Sequence, residues 1–442
     1  MSDYRDFPPL EVVAAQGCRL RLADGRELLD AISSWWCRSL GHQHPRLVAA
    51  LKNQADRFSQ VILANTTNEQ AVRFCERILA VANGYGPDVW GPDAAPGRQP
   101  GWFGKVFLAD NGSTAVEIAL KIALHAHRHR GNIRRTRFAA LADGYHGETV
   151  GALSVGDCGL YADPYRPLLF GCLQLGPLPL RAGPHDPRWQ DASAEWPAIQ
   201  AQLDAQADEL AAIIYEPVLQ GAGGMRLYSP DLLRRLRAWA DAHDVYLIAD
   251  EIAAGMGRCG RMLAGEHAGI RPDFAVMSKG LTGGELPLSC VLVPDHIHDL
   301  FLGERKRAFL HSNTWSGNAL ALAVANAVLD EFAESDVLGH VARTGPDLLA
   351  GLEKLAATRP YLRNVRGIGM MAAVDLCRPD GTPCDPAART GWRVFRAAVE
   401  RGALLRPLGD TMYVLPPLNT SAEDCAAMVA VLAVACDAVL GA

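Results

Sequence analysis

From about residue 66 to residue 300, this 442-residue chain alternates short apolar runs with longer amphipathic ones, and that alternation limits its fold more than any other feature. Residues 105–109, 137–141, 209–215, 245–249, 273–277 and 288–293 are apolar runs of strand length. Residues 68–82, 113–129 and 231–242 instead repeat their apolar side chains at helical spacing, as at Val116, Ala119, Leu120, Ala123 and Leu124. Short strands separated by helices imply an α/β fold, a mostly parallel sheet with helices on both faces. Ligands of such sheets sit beyond the carboxyl ends of the strands. The residues that close each apolar run are therefore the first candidates for chemistry.

The flanking regions read differently. Residues 18–22 and 27–30 enclose Ala23-Asp24-Gly25 and read as strand, turn, strand. After Pro45, Leu47, Val48, Leu51, Ala55 and Phe58 recur at helical spacing. A long helix at 319–332 leads into a C-terminal helix–strand region. The expected division is 1–60 as the N-terminal part of a small domain, 61–310 as a large domain, and 311–442 as an interface segment, the long helix and the rest of the small domain. Residues 83–101 and 176–196, rich in Gly and Pro, read as surface loops. With a net charge of −6, no long basic run and no apolar run of membrane-spanning length, neither nucleic acid nor a membrane is an expected partner. The eleven cysteines are scattered without a C-x-x-C pair and read as reduced thiols of a cytoplasmic protein.

Two strand-end residues carry the strongest chemical signal. Asp250 closes the run 245–249, and Lys279 follows Met277-Ser278 and precedes Gly280 and Gly283-Gly284, which permit close backbone approach to a ligand. A carboxylate and a lysine so placed suit pyridoxal 5'-phosphate. The lysine amine holds the cofactor aldehyde as a Schiff base, and the carboxylate keeps the pyridine nitrogen protonated so that the ring accepts electrons. Read alone, Asp250 serves equally well as a helix cap. Ile252, two residues on, faces the same side of an extended chain and can pack under the ring. Gly112-Ser113-Thr114 opens a helix after a strand, a position that offers N–H groups to a phosphate, although Ser and Thr also cap ordinary helices.

Tyr145 and His146 lie in Asp143-Gly-Tyr-His-Gly-Glu148, where the tyrosine ring can stack on a cofactor and the imidazole can hydrogen-bond nearby. Glu216 ends another run and either faces the site or pairs structurally. Of the adjacent Trp35 and Trp36, one is expected to face the core and the other a cleft. His42-Gln43-His44 has no third ligand nearby, so no metal is expected. Arg406 can clamp a carboxylate bidentately, though alone it reads as a surface arginine.

Together these motifs resemble the class III aminotransferases, which have the fold-type I pyridoxal phosphate architecture. The segment Asp250-Glu-Ile-Ala-Ala-Gly-Met-Gly-Arg-Cys-Gly260 is similar to that class's signature, with Lys279 at the expected distance. The resemblance implies a large domain with a mostly parallel sheet and a smaller α+β domain built from both termini. It implies that Lys279 is catalytic and that Asp250, Gly112, Ser113, Tyr145, Ile252 and Lys279 hold the cofactor. Thr314 would reach the phosphate across the interface of a homodimer with shared active sites. Trp36, Arg406, Tyr145, Gly280 and Tyr413 would bind substrate.

Within the class, Ser33-Ser-Trp-Trp36, Gln220-Gly-Ala-Gly-Gly-Met-Arg226 and Leu405-Arg-Pro-Leu-Gly409 resemble the branch that aminates a keto acid on the way to biotin, with adenosylmethionine or lysine as donor. Glu148 stands where that branch commonly has Asp, near the expected donor site. The alternatives are an ω-aminotransferase of the ornithine, 4-aminobutyrate or diamine type, an aminomutase or racemase, and a non-catalytic cofactor-binding protein. Members usually begin with a segment containing Trp-His-Pro. This chain starts after that point, so a misassigned start or a truncated form is expected.

Overall fold

The computed structural model describes residues 7–91, 101–157 and 159–441. The chain divides into two units. One comprises Arg46–Gly257 and Arg261–Asp336; the other gathers Met1–Pro45, Arg258–Gly260 and Val337–Ala442.

The larger unit is built on seven strands: Phe103–Ala109 (β1), Arg137–Leu141 (β2), Cys172–Leu175 (β3), Leu210–Tyr215 (β4), Tyr246–Asp250 (β5), Phe274–Met277 (β6) and Ser289–Pro294 (β7). They lie in the order β1-β7-β6-β5-β4-β2-β3. The pairs from β6 to β3 are all parallel, and β7 runs antiparallel to both of its neighbours. Every residue of β4, β5 and β6 is buried, which is why these strands read as continuous apolar runs rather than alternating ones. The helix Gly112–His129 (α1) lays Val116, Ala119 and Ala123 into the cluster that holds Ile214, Ile248 and Val276 of the sheet. Pro230–His243 (α2) starts at Pro after the cap Ser229, whose side chain accepts from Asp231 N–H, and stops at left-handed Asp244. In register, Asp250 faces Val276, Ala249 faces Tyr215 and Ala140 faces Ile214. The carboxyl ends of β2, β4, β5 and β6 therefore share one edge.

The smaller unit joins the two chain ends through one sheet. Val12–Gln16, Arg19–Leu22 and Glu27–Asp30 form a meander, and Ala403–Leu404 adds in parallel to Glu27–Asp30. Leu20, Leu22 and Leu28 pack with Phe395 and Val399 from the C-terminal part. A second sheet of Leu362–Gly367, Ala372–Leu376 and Thr411–Val414 completes the unit with the helices Val337–Ala357, Thr390–Glu400 and Ala422–Leu440.

The dividing points differ from the expected 60 and 310. Ala319–Glu334 (α3) belongs to the larger unit because it is buried against Glu69–Ala82: Arg77 donates to the Asn326 carbonyl at 3.0 Å and pairs with Asp330 at 2.7 Å. The segment 176–196 is not a plain surface excursion. Arg181 and Glu195 form a buried pair at 2.8 Å, and Arg181 N–H donates to the Leu227 carbonyl. The segment 83–101 contains a short helix, Pro87–Trp90, and its part from 92 to 100 lies outside the described residues. Among the described residues no helix is long and apolar enough to cross a membrane.

Candidate active site

The carboxyl edge of β2, β4, β5 and β6 gathers the titratable groups. Asp250, 3% exposed, ends β5 and is followed by turns rather than a helix, so it caps none. Its Oδ1 accepts the Ile252 N–H at 3.1 Å, and its Oδ2 lies 2.8 Å from His146 Nδ1. His146 arrives from the loop after β2 and is 2% exposed; its Nε2 has no hydrogen-bond partner among the described residues. Glu216 follows β4 directly, and its carboxylate accepts the N–H groups of Tyr145 at 3.0 Å and Gly221 at 2.9 Å. Burial pushes Glu216 up to about 7 while His146 draws it down. Its role is thus to fix the Tyr145 loop, not to form a salt bridge with a cation. The adjoining Glu251 accepts N–H groups from Ala264 and Gly265 at 2.7 and 2.8 Å, and burial raises it to about 8.

Lys279 opens a short 3-10 turn just past β6 in left-handed conformation, φ 44°. Such a φ is uncommon outside glycine and gathers at functional sites. The turn is held on both sides: Ser278 Oγ donates to the Leu288 carbonyl at 2.8 Å and Thr282 Oγ1 to the Leu286 carbonyl at 2.6 Å. Gly280, buried, accepts the N–H of Gly283 at 3.0 Å. Glu251 N–H donates to the Val276 carbonyl, so the chain that leaves Asp250 and the chain that leads to Lys279 exit neighbouring strands.

The start of α1 forms a third part. Asn111, rather than Ser113, is its cap: Asn111 Oδ1 accepts Thr114 N–H at 3.1 Å, and Asn111 N–H donates to Thr114 Oγ1 at 3.3 Å. The N–H groups of Gly112 and Ser113 are left at the helix end without intrahelical acceptors. Ser113 Oγ accepts Glu148 N–H at 3.3 Å. A Cβ on Gly112 would lie 2.8 Å from Ile252 Cδ1, and one on Gly147, at φ +126°, only 2.1 Å from Ser113 Oγ. Gly112, Ser113, Gly147 and Ile252 thus enclose a helix N-terminus suited to an anion.

These features fit pyridoxal phosphate: a buried aspartate with no lysine or arginine partner among the described residues, a left-handed lysine on the adjacent strand exit, and a helix start kept open by glycines. Tyr145 is half-buried, its N–H fixed by Glu216 and its hydroxyl donating to Glu148 Oε1 at 3.0 Å. Thr314 lies in an exposed turn, where its carbonyl accepts from Gln60 Nε2, and no contact joins it to the cluster among the described residues.

In the smaller unit, Trp36 and Tyr413 are 7% and 1% exposed, and the indole N–H donates to the phenol oxygen at 3.0 Å. The two rings support each other inside that unit, and Trp36 also stacks on Trp35 at 6.3 Å between centroids. The outward ring is Trp35, 49% exposed, with Arg406 Cζ 4.7 Å from its centroid. His42 Nε2 lies 2.8 Å from Asp30 Oδ2. Sequence reasoning named His146 and Glu216 without assigning them partners, and it did not read Asn111 as the helix cap or give Gly147 and Asp30 a role. The position of His146 just past a strand end was the available signal.

The comparisons with known proteins agree with this geometry. The family model for aminotransferase class III matches residues 2–436. A relative from Synechococcus elongatus, an adenosylmethionine-8-amino-7-oxononanoate aminotransferase, is 40% identical over 94% of this chain and 92% of its own length. Another of the same name from Nitratidesulfovibrio vulgaris is 37% identical over 96% and 76%. The crystal structure of that aminotransferase from Methanocaldococcus jannaschii superposes with a TM-score of 0.88 at 29% identity, covering 99% of this chain and 95% of the other. An amine transaminase from an uncultivated Pseudomonas species with pyridoxal phosphate bound also gives 0.88, at 32% identity and 99% and 97% coverage. The fold is that of the fold-type I transferases, and the chain belongs to the class III aminotransferases, enzymes that depend on pyridoxal phosphate.

Proposed function

We propose that this enzyme converts 8-amino-7-oxononanoate to 7,8-diaminononanoate in biotin biosynthesis, with adenosylmethionine as the amino donor. The observation that carries the reading is the pair of relatives at 40% and 37% identity over nearly the whole chain, both with that activity in their names. Arg406 adds chemical support: it is exposed and has no acidic partner among the described residues.

Pyridoxal phosphate, when bound, supplies an electron sink and carries the amino group between substrates. The chain's own residues do the rest. Asp250 holds a proton at the pyridine nitrogen, and His146, 2.8 Å from its Oδ2, keeps the carboxylate oriented. Gly112 and Ser113 would hold the phosphate at the helix start, and Ile252 and Tyr145 would hold the ring. Lys279 Nζ anchors the cofactor and moves the proton at the donor carbon. Gly280 lets the substrate approach the backbone, and Arg406 receives the carboxylate of the keto acid.

The reading includes a cytoplasmic homodimer in which Thr314 reaches the partner's phosphate. Apolar exposure around that turn supports it: Ile62, Leu310 and Trp315 are 66%, 80% and 59% exposed, and the Gln60–Thr314 bond ties their two segments together. Lysine is the second reading for the donor, since Glu148, which accepts from the Tyr145 hydroxyl, departs from the branch's commoner Asp near the expected donor site.

The test is to incubate the cofactor-loaded enzyme with 8-amino-7-oxononanoate and either donor, and to quantify 7,8-diaminononanoate by mass spectrometry. Product with adenosylmethionine alone is expected. Product only with lysine would replace the donor, and no product with either would overturn the assignment.

A further inference from the structure

Four consecutive residues of the smaller unit, none of them glycine, are left-handed: Ser33, Ser34, Trp35 and Trp36 have φ of 48°, 43°, 75° and 71°. Such conformations are costly for L-residues and persist only where the surroundings over-determine them. Here the surroundings are Asp30, fully buried, whose carboxylate accepts Ile32 N–H at 3.3 Å, Ser34 N–H at 3.0 Å and the Ser34 hydroxyl at 2.6 Å, and meets His42 Nε2 at 2.8 Å. Ser33 Oγ donates to the Leu415 carbonyl at 2.7 Å. The result of this strained turn is specific. Trp36 is turned inward onto Tyr413, and the large apolar ring of Trp35 is left half in solvent.

The exposed indole faces a charge. Arg406 Cζ lies 4.7 Å from the Trp35 centroid, and the guanidinium has no carboxylate partner among the described residues. A guanidinium resting on an indole face gains from the ring quadrupole, while its N–H edges remain open to a planar carboxylate. We propose that Trp35 is a positioning residue for Arg406, fixing the plane of the guanidinium that receives the substrate carboxylate, and that the Asp30-anchored turn exists to present it. This rests on the reading of Arg406 as the carboxylate clamp.

The test measures kcat and KM for 8-amino-7-oxononanoate and for its methyl ester, in wild type, Trp35→Leu, Trp35→Phe, Arg406→Met and the Trp35→Leu/Arg406→Met double variant. Arg406→Met should abolish the preference for acid over ester. Trp35→Leu should raise KM for the acid by roughly 3- to 30-fold, leave kcat and the ester KM within about twofold, and add nothing in the double variant. Trp35→Phe should restore most of the loss. A Trp35→Leu effect that is equal for acid and ester, or that adds to Arg406→Met, would overturn the inference while leaving the clamp standing. An acid preference that survives Arg406→Met, or is absent in wild type, would remove the clamp and this inference with it.

Discussion

The two regions assigned to chemistry are built in opposite ways. In the larger unit, Asp250, His146 and Glu216 are each at most 4% exposed and locked by one another and by backbone N–H groups. In the smaller unit, Arg406, proposed to meet the substrate, and Trp35 beside it stand out toward solvent, and burial is reserved for Asp30 and His42 beneath them. The first arrangement follows from sheet register: parallel strands end together, so residues distant in sequence meet there, with single left-handed residues at Asp143, Val218 and Lys279 in the exits. The second depends on a turn that L-residues disfavour. On the proposed reading, chemistry common to a class would be held by the sheet and recognition by a local, strained turn.

Four substitutions probe this contrast, from the largest expected effect to the smallest. Lys279→Ala should lower transamination by about 1000-fold or more with the fold intact, measured by product formation and circular dichroism. Substituting Asp30 by Ala leaves His42 buried without its carboxylate and releases the left-handed turn; denaturant titration should show a loss of about 3–5 kcal/mol. Burial pushes Asp30 up, but the hydrogen bonds from His42 and Ser34 outweigh it and hold the group below the usual carboxylate range. The stability it gives is therefore present above that range and lost as pH falls through the depressed value. An unchanged midpoint in Asp30→Ala would mean that the turn needs no anchor.

Gly147→Ala meets Ser113 Oγ at 2.1 Å in a left-handed backbone, so it should cost about 1–3 kcal/mol and weaken cofactor binding by about tenfold, read by fluorescence titration with pyridoxal phosphate. The change with the smallest effect at acid pH is Glu251→Gln. Burial raises Glu251 to about 8, so the folded state holds its proton more tightly than the unfolded chain, and the linked stability is lost as pH rises through 8. Thermal midpoints should show the Gln variant gaining on wild type between about pH 5 and 8 and levelling off above, by at most about 1.4 kcal/mol per pH unit.

What the sequence made legible follows the same division. The apolar runs located β1, β2 and β4 to β7, and Asp250 and Lys279 stood out because they end such runs. Pairings across the sheet were not legible, since nothing local links His146 to Asp250, 104 positions apart. The cap at Asn111 was overlooked because Ser113 and Thr114, both common caps, follow immediately. The turn at Ser33–Trp36 was unreadable for a deeper reason. Left-handed backbone is expected of glycine or asparagine, and here it is imposed by a buried aspartate upstream and a histidine downstream. The different exposures of Trp35 and Trp36 follow from that one backbone fact.

The most direct test of this division of labour is a pair of rapid-mixing absorbance experiments on cofactor-loaded wild type, Lys279→Ala and Arg406→Met, first with adenosylmethionine and then with 8-amino-7-oxononanoate. The account predicts that Lys279→Ala loses both phases. Arg406→Met should keep the donor phase within about threefold and need roughly 10- to 100-fold more keto acid for the acceptor phase. Equal loss of both phases in Arg406→Met, or an acceptor phase indifferent to that change, would contradict it.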